Sequence, residues 1–510
     1  MSVTESVAVP RAGRREWLGL GILALPTMLT MLDIGVLFLA LPQLTADLSA
    51  SATQQLWISD SYGFAIAGFL VTMGTLGDRV GRTQVLVAGS AAFGLVSLVA
   101  AFSSSPEMLI ACRALLGIAG ATIMPSALAL IMGMFRDPKQ LGAAIALWAS
   151  SLTAGVALGP VVGGVLLNWF WWGSVFLVAV PVCAVVVFAG PRLLPAFRNP
   201  APGRLDPLSV ALSLGALLPF VHGLKETART GWSAGATLSA AAGVVLGMLF
   251  VARQRRLEHP LLDLRLFGLR TVRGALVVSL LVAAVQAGTG FFVAQHLQLV
   301  KGLSPLGAGL WILLPTVVLV AGIFVSQGMA QWVPPARVIA AGLALAAAGM
   351  IVLTQVDAGS SLALLLAGFT VVYLGVSPVG PLVGQLVVPA APPEKAGSAS
   401  GLQSTSGELG VALGIALLGS VGTATYRHSV AIPAELAGTP AEATARETLA
   451  GALQTAQSLP PSLADTLVDS ARQAFTSGLN VAAVVGVVAF TALAALALAT
   501  LRHVPPMGRR

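Results

Sequence analysis

Three carboxylates lie in or beside long apolar stretches of the chain, where an ionised side chain is costly. Asp33 and Glu408 fall inside apolar runs, and Asp60 falls near the outer end of another. A carboxylate at bilayer depth must be neutral, paired or in contact with water. Because desolvation favours the neutral form, such a group can hold a proton near neutral pH and lose it when a cation arrives. These three acids are therefore the candidates for proton coupling and cation binding.

Other residue types near these acids suggest supporting roles. Arg113 also falls inside an apolar run and is interpreted as a structural or coupling cation and not as a substrate ligand, since it would repel a cationic ligand. Trp57 and Tyr62 are possible contacts for a flat cation, although aromatic residues in membrane proteins often serve packing or interfaces instead. Two alternatives stay open for the acids: Asp33 as a structural polar contact, and Asp60 as an interfacial helix cap.

Enzyme chemistry has no support in the sequence. The five histidines are scattered without metal-ligand spacing, and no Walker sequence, H-E-x-x-H motif or cysteine-histidine cluster is present. We therefore predict neither a catalytic residue nor a metal site. Cys112 and Cys183 both fall in apolar runs and are predicted to be free, buried thiols.

Composition indicates which elements must carry these residues. Of 510 residues, 56% are apolar and 9% are charged, against roughly 25% charged in a soluble domain. Mean hydropathy is +0.89, so the chain is predicted to be a polytopic membrane protein. The net charge of +8 is then a matter of membrane orientation, and no patch suggests a nucleic-acid partner.

Long continuous runs of Leu, Ala, Val and Gly predict membrane-spanning helices, since β-barrel strands would alternate over about ten residues. The fold class is therefore all-α. We predict fourteen spans near 18–40, 56–76, 85–103, 107–130, 141–166, 174–190, 207–224, 234–252, 274–299, 307–330, 337–355, 361–388, 398–420 and 478–501. With this arrangement, 21 of the 28 Lys and Arg residues lie on the side of the N-terminus. The positive-inside rule then places both termini in the cytoplasm.

A faint internal repeat predicts two halves. The sequence after Asp78 resembles the sequence after Gln331 and matches Gly89 to Gly342, as expected for duplicated six-helix bundles around a central cavity. The predicted domains are an N-terminal bundle at 1–206, two additional helices at 207–252, a cytoplasmic interfacial linker at 253–273 and a C-terminal bundle at 274–510. The C-terminal bundle includes an external loop at 421–476, which is either a helical cap or an inert connection.

A motif at 74–82, GTLGDRVGR, joins the second and third spans. Glycines allow close helix approach and positive φ, and Asp78 is expected to cap the next helix and accept a hydrogen bond from an arginine. The motif resembles the signature loop of the major facilitator superfamily. That resemblance implies a conformational-switch role for Gly77, Asp78, Arg79, Gly81 and Arg82.

A second motif at 155–164, GVALGPVVGG, gives the fifth span a flat face of small residues and a proline that bends the helix. It is similar to the motif that distinguishes exporters within that superfamily. The residues concerned are Gly155, Gly159, Pro160, Gly163 and Gly164. The sequence RALLGIAG at 113–120 is similar to a further family motif, whose arginine, here Arg113, is implied to take part in proton coupling.

Shorter matches narrow the resemblance to fourteen-span drug:proton antiporters, particularly quaternary ammonium compound exporters. They are LDI at 32–34, LP at 41–42, QLWISDSY at 55–62, PLLDLRLF at 260–267 and GLWILLP at 309–315. The chain departs from some relatives by lacking an acid after Pro315 and by carrying Gln403 and Ser404 before Glu408.

The resemblance implies a monomeric multidrug exporter of the bacterial inner membrane. It would expel lipophilic, often cationic drugs, dyes and antiseptics in exchange for protons, and it would need no cofactor beyond the proton gradient. One alternative is a dedicated exporter of an endogenous antibiotic or metabolite. A solute-importing symporter is the other, although the exporter motif argues against it by analogy.

Overall fold

A computed structural model describes residues 12–195, 206–230, 233–257, 268–387 and 396–507. Every regular element in these ranges is helical, which confirms the predicted all-α class. A helix satisfies its own backbone hydrogen bonds, so long apolar runs in lipid fold this way. Cys112 and Cys183 are free and buried, as predicted.

The helices are long enough to cross a bilayer. Among the described residues, eleven helices pass by length and composition, or up to thirteen if two bent helices each form one span, and 207–223 is a shorter apolar helix. Each of the fourteen predicted spans coincides with a helical segment, so the predicted count is consistent with the structure.

The N-terminal half comprises eight helices because the fourth and sixth predicted spans each break in two. They are α1 (Arg14–Asp47), α2 (Ala52–Val80), α3 (Arg82–Ala101), α4 (Pro106–Gly120), α5 (Ile123–Met134), α6 (Pro138–Trp169), α7 (Ser174–Leu177) and α8 (Ala179–Leu193). The first helix bends by 44° immediately after Asp33, and the second bends by 51° after Leu70.

Two additional helices, α9 (Pro207–Thr230) and α10 (Ala234–Gln254), form a hairpin. Its ends are joined by Asp206, which accepts hydrogen bonds from Nε and Nη2 of Arg253 at 3.0 and 2.8 Å. The Ser209 hydroxyl donates a further hydrogen bond to the same carboxylate. The hairpin therefore has a charged clasp at one end.

The C-terminal half continues with α11 to α19. They are α11 (Arg270–Gln295), α12 (Pro305–Trp332), α13 (Pro335–Leu353), α14 (Leu362–Val376), α15 (Val379–Val387), α16 (Ala396–Ser429), α17 (Pro440–Glu447), α18 (Leu449–Ala456) and α19 (Pro461–Leu501). A π-helical turn, His296–Val300, follows α11.

The two halves share a structural detail that the sequence repeat anticipates. Gly89 on α3 faces Thr122 at the break between α4 and α5. Gly342 on α13 faces Gly375 and Pro378 at the break between α14 and α15. The matched glycines thus allow equivalent close contacts in the two halves.

The limits predicted for two segments differ from the helix boundaries in the structure. The proposed linker at 253–273 begins inside α10 and ends inside α11, and its centre, 258–267, lies outside the described residues. The proposed loop at 421–476 contains the short helices α17 and α18, but α16 and α19 extend into it from both sides. Its predicted helical pieces are therefore present in a shorter connection.

The halves contact each other at the helix ends farthest from Asp78. Helix α2 packs against α16, and α6 packs against α12. The Gln55 side-chain amide donates to Oε1 of Gln295 at 3.0 Å, and a Cβ on Gly164 would lie 2.7 Å from Cα of Leu306. Interdigitation this close indicates a closed interface at this end.

Candidate functional site

A buried ion pair joins α1 to α4. Nη1 of Arg113 donates to Oδ2 of Asp33 at 2.6 Å, and Nε donates to the carbonyl oxygen of Ile58 at 3.2 Å. The Arg113 side chain is 1% exposed and that of Asp33 is 13% exposed. The guanidinium carbon also lies 4.5 Å from the ring centroid of Tyr62, which adds a cation–π contact. The arginine is thus compensated on three sides.

Glu408 reaches the same place from the opposite half of the molecule. It lines one small cavity with Arg113 and Tyr62, and a second with Tyr62, Met31 and Met124. The cavity volumes are about 20 and 10 Å³, which is room for about one water molecule. In this conformation the site is closed and a drug-sized ligand does not fit.

The two in-span acids differ in their electrostatic balance. Asp33 has a cationic partner in Arg113. Glu408 has Oε2 buried without a hydrogen-bond partner among the described residues. A buried carboxylate without a partner is stable when protonated and, once ionised, requires a cation or water. Of these two acids, Glu408 is therefore the one that a proton and a cationic ligand can share.

The sequence did not reveal the Asp33–Arg113 pair. A usable signal was present, because Arg113 is a basic residue well inside a predicted span and an unpaired arginine there is costly. Pairing it with an in-span acid would have narrowed the choice to a few carboxylates. What the sequence lacks is the distance between α1 and α4, which are separated by two other helices along the chain.

Two other candidates are not among the residues that line the cavities at Glu408. Asp60 is completely buried in α2, one turn before Gly63. The ring of Trp57 lies 6.3 Å from Phe64 and 6.5 Å from His222 of α9. Of the two predicted aromatic contacts, the structure therefore brings Tyr62 to the Glu408 cavities and directs Trp57 toward the hairpin.

An ion pair links Asp78 and Arg82 in the motif between α2 and α3. Nη2 of Arg82 lies 2.7 Å from Oδ1 of Asp78, and Nε donates to the same oxygen at 3.0 Å. The expected bond from an arginine to Asp78 is thus confirmed. The expected cap is wrong, because Gly81 occupies the N-cap of α3 with no side-chain hydrogen bond, and Asp78 lies in the last turns of α2.

Glycines allow the tight geometry of this motif. Gly81 has φ of 128°, a region that other residues rarely adopt. A Cβ on Gly77 would lie 2.9 Å from Cδ of Arg82, so a larger residue would displace the arginine. Arg79 is exposed at the end of α2.

The second motif packs α6 against α1 along its glycine face. A Cβ on Gly155 would collide with the carbonyl oxygen of Met28. One on Gly159 would lie 3.1 Å from the Leu32 carbonyl oxygen, and one on Gly163 would lie 3.1 Å from Cα of Val36. The same face turns toward the second half, where Gly164 meets α12 and Pro160 contacts Gly309. The predicted close-packing face is therefore present.

Comparison with known proteins agrees with this architecture. The sequence profile described as Major Facilitator Superfamily matches residues 23–415. The chain belongs to the major facilitator superfamily.

Relatives of this superfamily member include proteins named for efflux or for resistance. It is 43% identical over 488 residues to the multidrug efflux pump LfrA of Mycolicibacterium smegmatis, covering 95% of this chain and 96% of that one. It is 36% identical to the methyl viologen resistance protein SmvA of Salmonella typhimurium, covering 92% and 94%. It is 34% identical to the tetracenomycin C resistance and export protein of Streptomyces glaucescens, covering 96% and 93%.

Solved structures of other transporters share the fold. A bacterial homologue of the human lysosomal transporter Spinster aligns with a TM-score of 0.64 at 18% identity, covering 96% of this chain and 99% of that one. A peptide transporter of the POT family aligns with a TM-score of 0.64 at 16% identity, covering 98% of each chain. This major facilitator protein is therefore a multi-pass membrane transporter of small molecules and not an enzyme.

Proposed function

We propose that this transporter exports lipophilic, often cationic compounds across the bacterial inner membrane in exchange for protons, with both termini in the cytoplasm. The relatives whose names specify multidrug efflux and methyl viologen resistance support this substrate class. The observation that carries the proposal is that Oε2 of Glu408 is buried in a cavity between the two halves and has no hydrogen-bond partner in the described part of the chain.

The exchange follows from competition for one carboxylate. Protonated Glu408 is neutral and tolerates its closed, buried surroundings. When the cavity opens to the cytoplasm, a lipophilic cation replaces the proton and satisfies the charge. Opening to the outside then lets external protons displace the cation, and the neutral site closes again. One proton enters for each cation that leaves in this scheme.

Asp33 and Arg113 contribute a second, balanced element. Their charges cancel at 2.6 Å, so the pair does not demand a ligand in the closed state. Arg113 and Glu408 line one cavity, and an incoming cation at Glu408 would repel the guanidinium. We expect that repulsion either to strengthen the hydrogen bond between Arg113 and Asp33 or to move the Arg113 side chain. Because Asp33 lies on α1, either change links cation binding to the position of that helix.

Alternating access requires the halves to rock. Their contact far from Asp78 leaves the Asp78–Arg82 motif at the opposite end of the bundle. Breaking and remaking this ion pair is suited to controlling the opening at that end. We assign the Asp78–Arg82 motif to conformational switching. The glycine face of α6 provides the close helix packing next to which the halves move.

The coupling is tested with purified protein in proteoliposomes. An imposed pH gradient, acidic on the face toward which export occurs, should drive the monovalent cation ethidium in that direction, and dissipating the gradient should stop it. Glu408→Gln should be inactive, whereas Glu435→Gln, the same change at an exposed acid between α16 and α17, should be active. Gradient-independent transport by the wild type would contradict the exchange.

A dedicated exporter of one endogenous antibiotic is the second candidate, and the tetracenomycin C exporter favours it. The same carboxylate exchange would serve either function. A drug-susceptibility panel, with and without expression in an efflux-deficient host, separates them. Resistance to several unrelated cations indicates a multidrug exporter, whereas resistance confined to one compound indicates a dedicated one.

A further inference from the structure

The α9–α10 hairpin covers a third cavity that the exchange described above does not use. It has a volume of about 300 Å³ and is lined by residues of α2, α9, α10 and α16. That volume is at the lower end of the range found for small-molecule sites. It is also more than ten times the volume of either cavity at Glu408. The largest ligand-sized space near the acid thus lies beside it, under the hairpin.

The cavity lies where α2 and α16 diverge from their point of closest approach. A Cβ on Gly63 would lie 3.1 Å from Cβ of Ala412, which fixes the close approach. Farther along α2, Ala67 and Gly68 face the cavity instead of α16. Leu214 of α9 packs there, where a Cβ on Gly68 would lie 2.6 Å from its Cδ2. The hairpin therefore covers the opening between the two halves.

The walls of the cavity are almost entirely apolar. Only Ser213 and Thr405 bring polar side chains to it. The Ser213 hydroxyl is already engaged, because it donates to the Val210 carbonyl oxygen at 2.9 Å. Thr405 has Oγ1 buried without a hydrogen-bond partner among the described residues. Val244 at the cavity edge is 49% exposed, so the space reaches the lipid-facing surface of α10.

The cavity and the acid share one helix. Thr405 and Leu409 of α16 line the cavity, and Glu408 stands between them in sequence. At 3.6 residues per turn, Glu408 projects about 60° around the helix from Thr405. A ligand lying in the cavity is therefore within one helical turn of the Glu408 carboxylate. An apolar space next to a buried anion complements a molecule with a hydrocarbon tail and a cationic head.

We propose that the cavity under the α9–α10 hairpin binds the hydrocarbon tail of an amphiphilic cation while the charged head approaches Glu408 past Thr405. This inference rests on the proposed function and adds a specific subsite to it. The two additional helices then act as part of the substrate site and give the transporter a preference for long-chain over compact cations. The lipid-facing edge at Val244 lets the tail enter from the bilayer.

The test uses alkyltrimethylammonium ions that differ only in tail length: hexyl, decyl and hexadecyl. Binding to the wild type should tighten up to about fourfold for each methylene that enters the cavity. Ala216→Phe, which fills the cavity from α9, should abolish that gain while leaving the binding of methyl viologen unchanged. Ala241→Phe adds the same group at an exposed position on α10 and should retain the gain. Ser213→Leu serves as a second filling variant if Ala216→Phe does not fold.

The outcomes separate this inference from the proposed function. If the wild type transports neither methyl viologen nor any alkylammonium ion, the proposed function fails. If transport is normal but both filling variants keep the full dependence on tail length, the tail subsite is wrong. Native mass spectrometry gives an independent check: a phospholipid retained by the wild type and lost from Ala216→Phe, with unchanged alkylammonium binding, would make the cavity a lipid site and overturn the inference.

Discussion

Asp33 and Arg113 form a buried ion pair in which Nη1 of the arginine lies 2.6 Å from Oδ2 of the acid. The pair places a balanced charge beside the unbalanced carboxylate of Glu408, which lines the same cavity as Arg113. The two acids that the sequence places in the spans therefore have different roles. Asp33 holds the arginine, and Glu408 is available for exchange.

Asp33→Asn should destabilise the protein and abolish the export of cationic dyes. The change leaves a buried guanidinium without its counterion, at a cost of about 3 kcal/mol or more. Thermal unfolding of the purified protein and ethidium efflux from cells measure the two effects. The double variant Asp33→Asn with Arg113→Gln should recover part of the lost stability without recovering efflux. Full ethidium efflux by well-expressed Asp33→Asn would contradict the role of the pair.

Asp78→Asn should lower the transport rate with little change in substrate affinity. Asp78 bonds to Arg82 in a turn between α2 and α3, away from the cavities at Glu408. Losing this ion pair removes a contact that controls opening, but it leaves the ligand contacts intact. Initial rates over a range of substrate concentrations, together with equilibrium binding, check this. Weakened binding with an unchanged maximal rate would show that the motif acts on the site itself.

Much of the architecture could be predicted because it follows from hydropathy and local motifs. The positions of the fourteen helical segments, the glycine face of α6 and the bond between Arg82 and Asp78 all depend on residues close in sequence. The Asp33–Arg113 pair and the cavity under the hairpin depend on how distant helices pack. No periodicity in α9 indicates that Leu214 will cover Gly68 of α2, because that contact is set by the crossing of α2 and α16.

The glycine at 155 should not tolerate even a methyl group. A Cβ there would collide with the backbone carbonyl of Met28, which cannot move without displacing α1. Gly155→Ala should therefore cost about 1–3 kcal/mol and lower the yield of folded protein. Gly142→Ala on the same helix is the matched control, since its added Cβ meets no atom within 4 Å. Equal thermal stability of the two variants would contradict the packing described for α6.

The Asp206–Arg253 ion pair that clasps the α9–α10 hairpin should make the stability of the protein depend on pH. Hydrogen bonds from Arg253 are the main cause that lowers the pKa of Asp206 to about 2. Since the pKa is lowered on folding, the ionised carboxylate stabilises the protein above about pH 4, and this stabilisation is lost as the pH falls toward 2. Asp206→Asn should lower the melting temperature at pH 6, and the difference from wild type should shrink below about pH 4. A constant difference across that range would show that the charge of Asp206 does not matter.

The exchange at Glu408 is tested most directly by the pH dependence of cation binding in purified protein. If a proton and a cation compete for this carboxylate, the affinity of the wild type for methyl viologen should rise by up to tenfold per pH unit until the group is fully ionised. Glu408→Gln should bind more weakly and show no such rise, whereas Glu435→Gln should follow the wild type. A pH dependence that persists unchanged in Glu408→Gln would place the exchanging proton elsewhere and contradict the account.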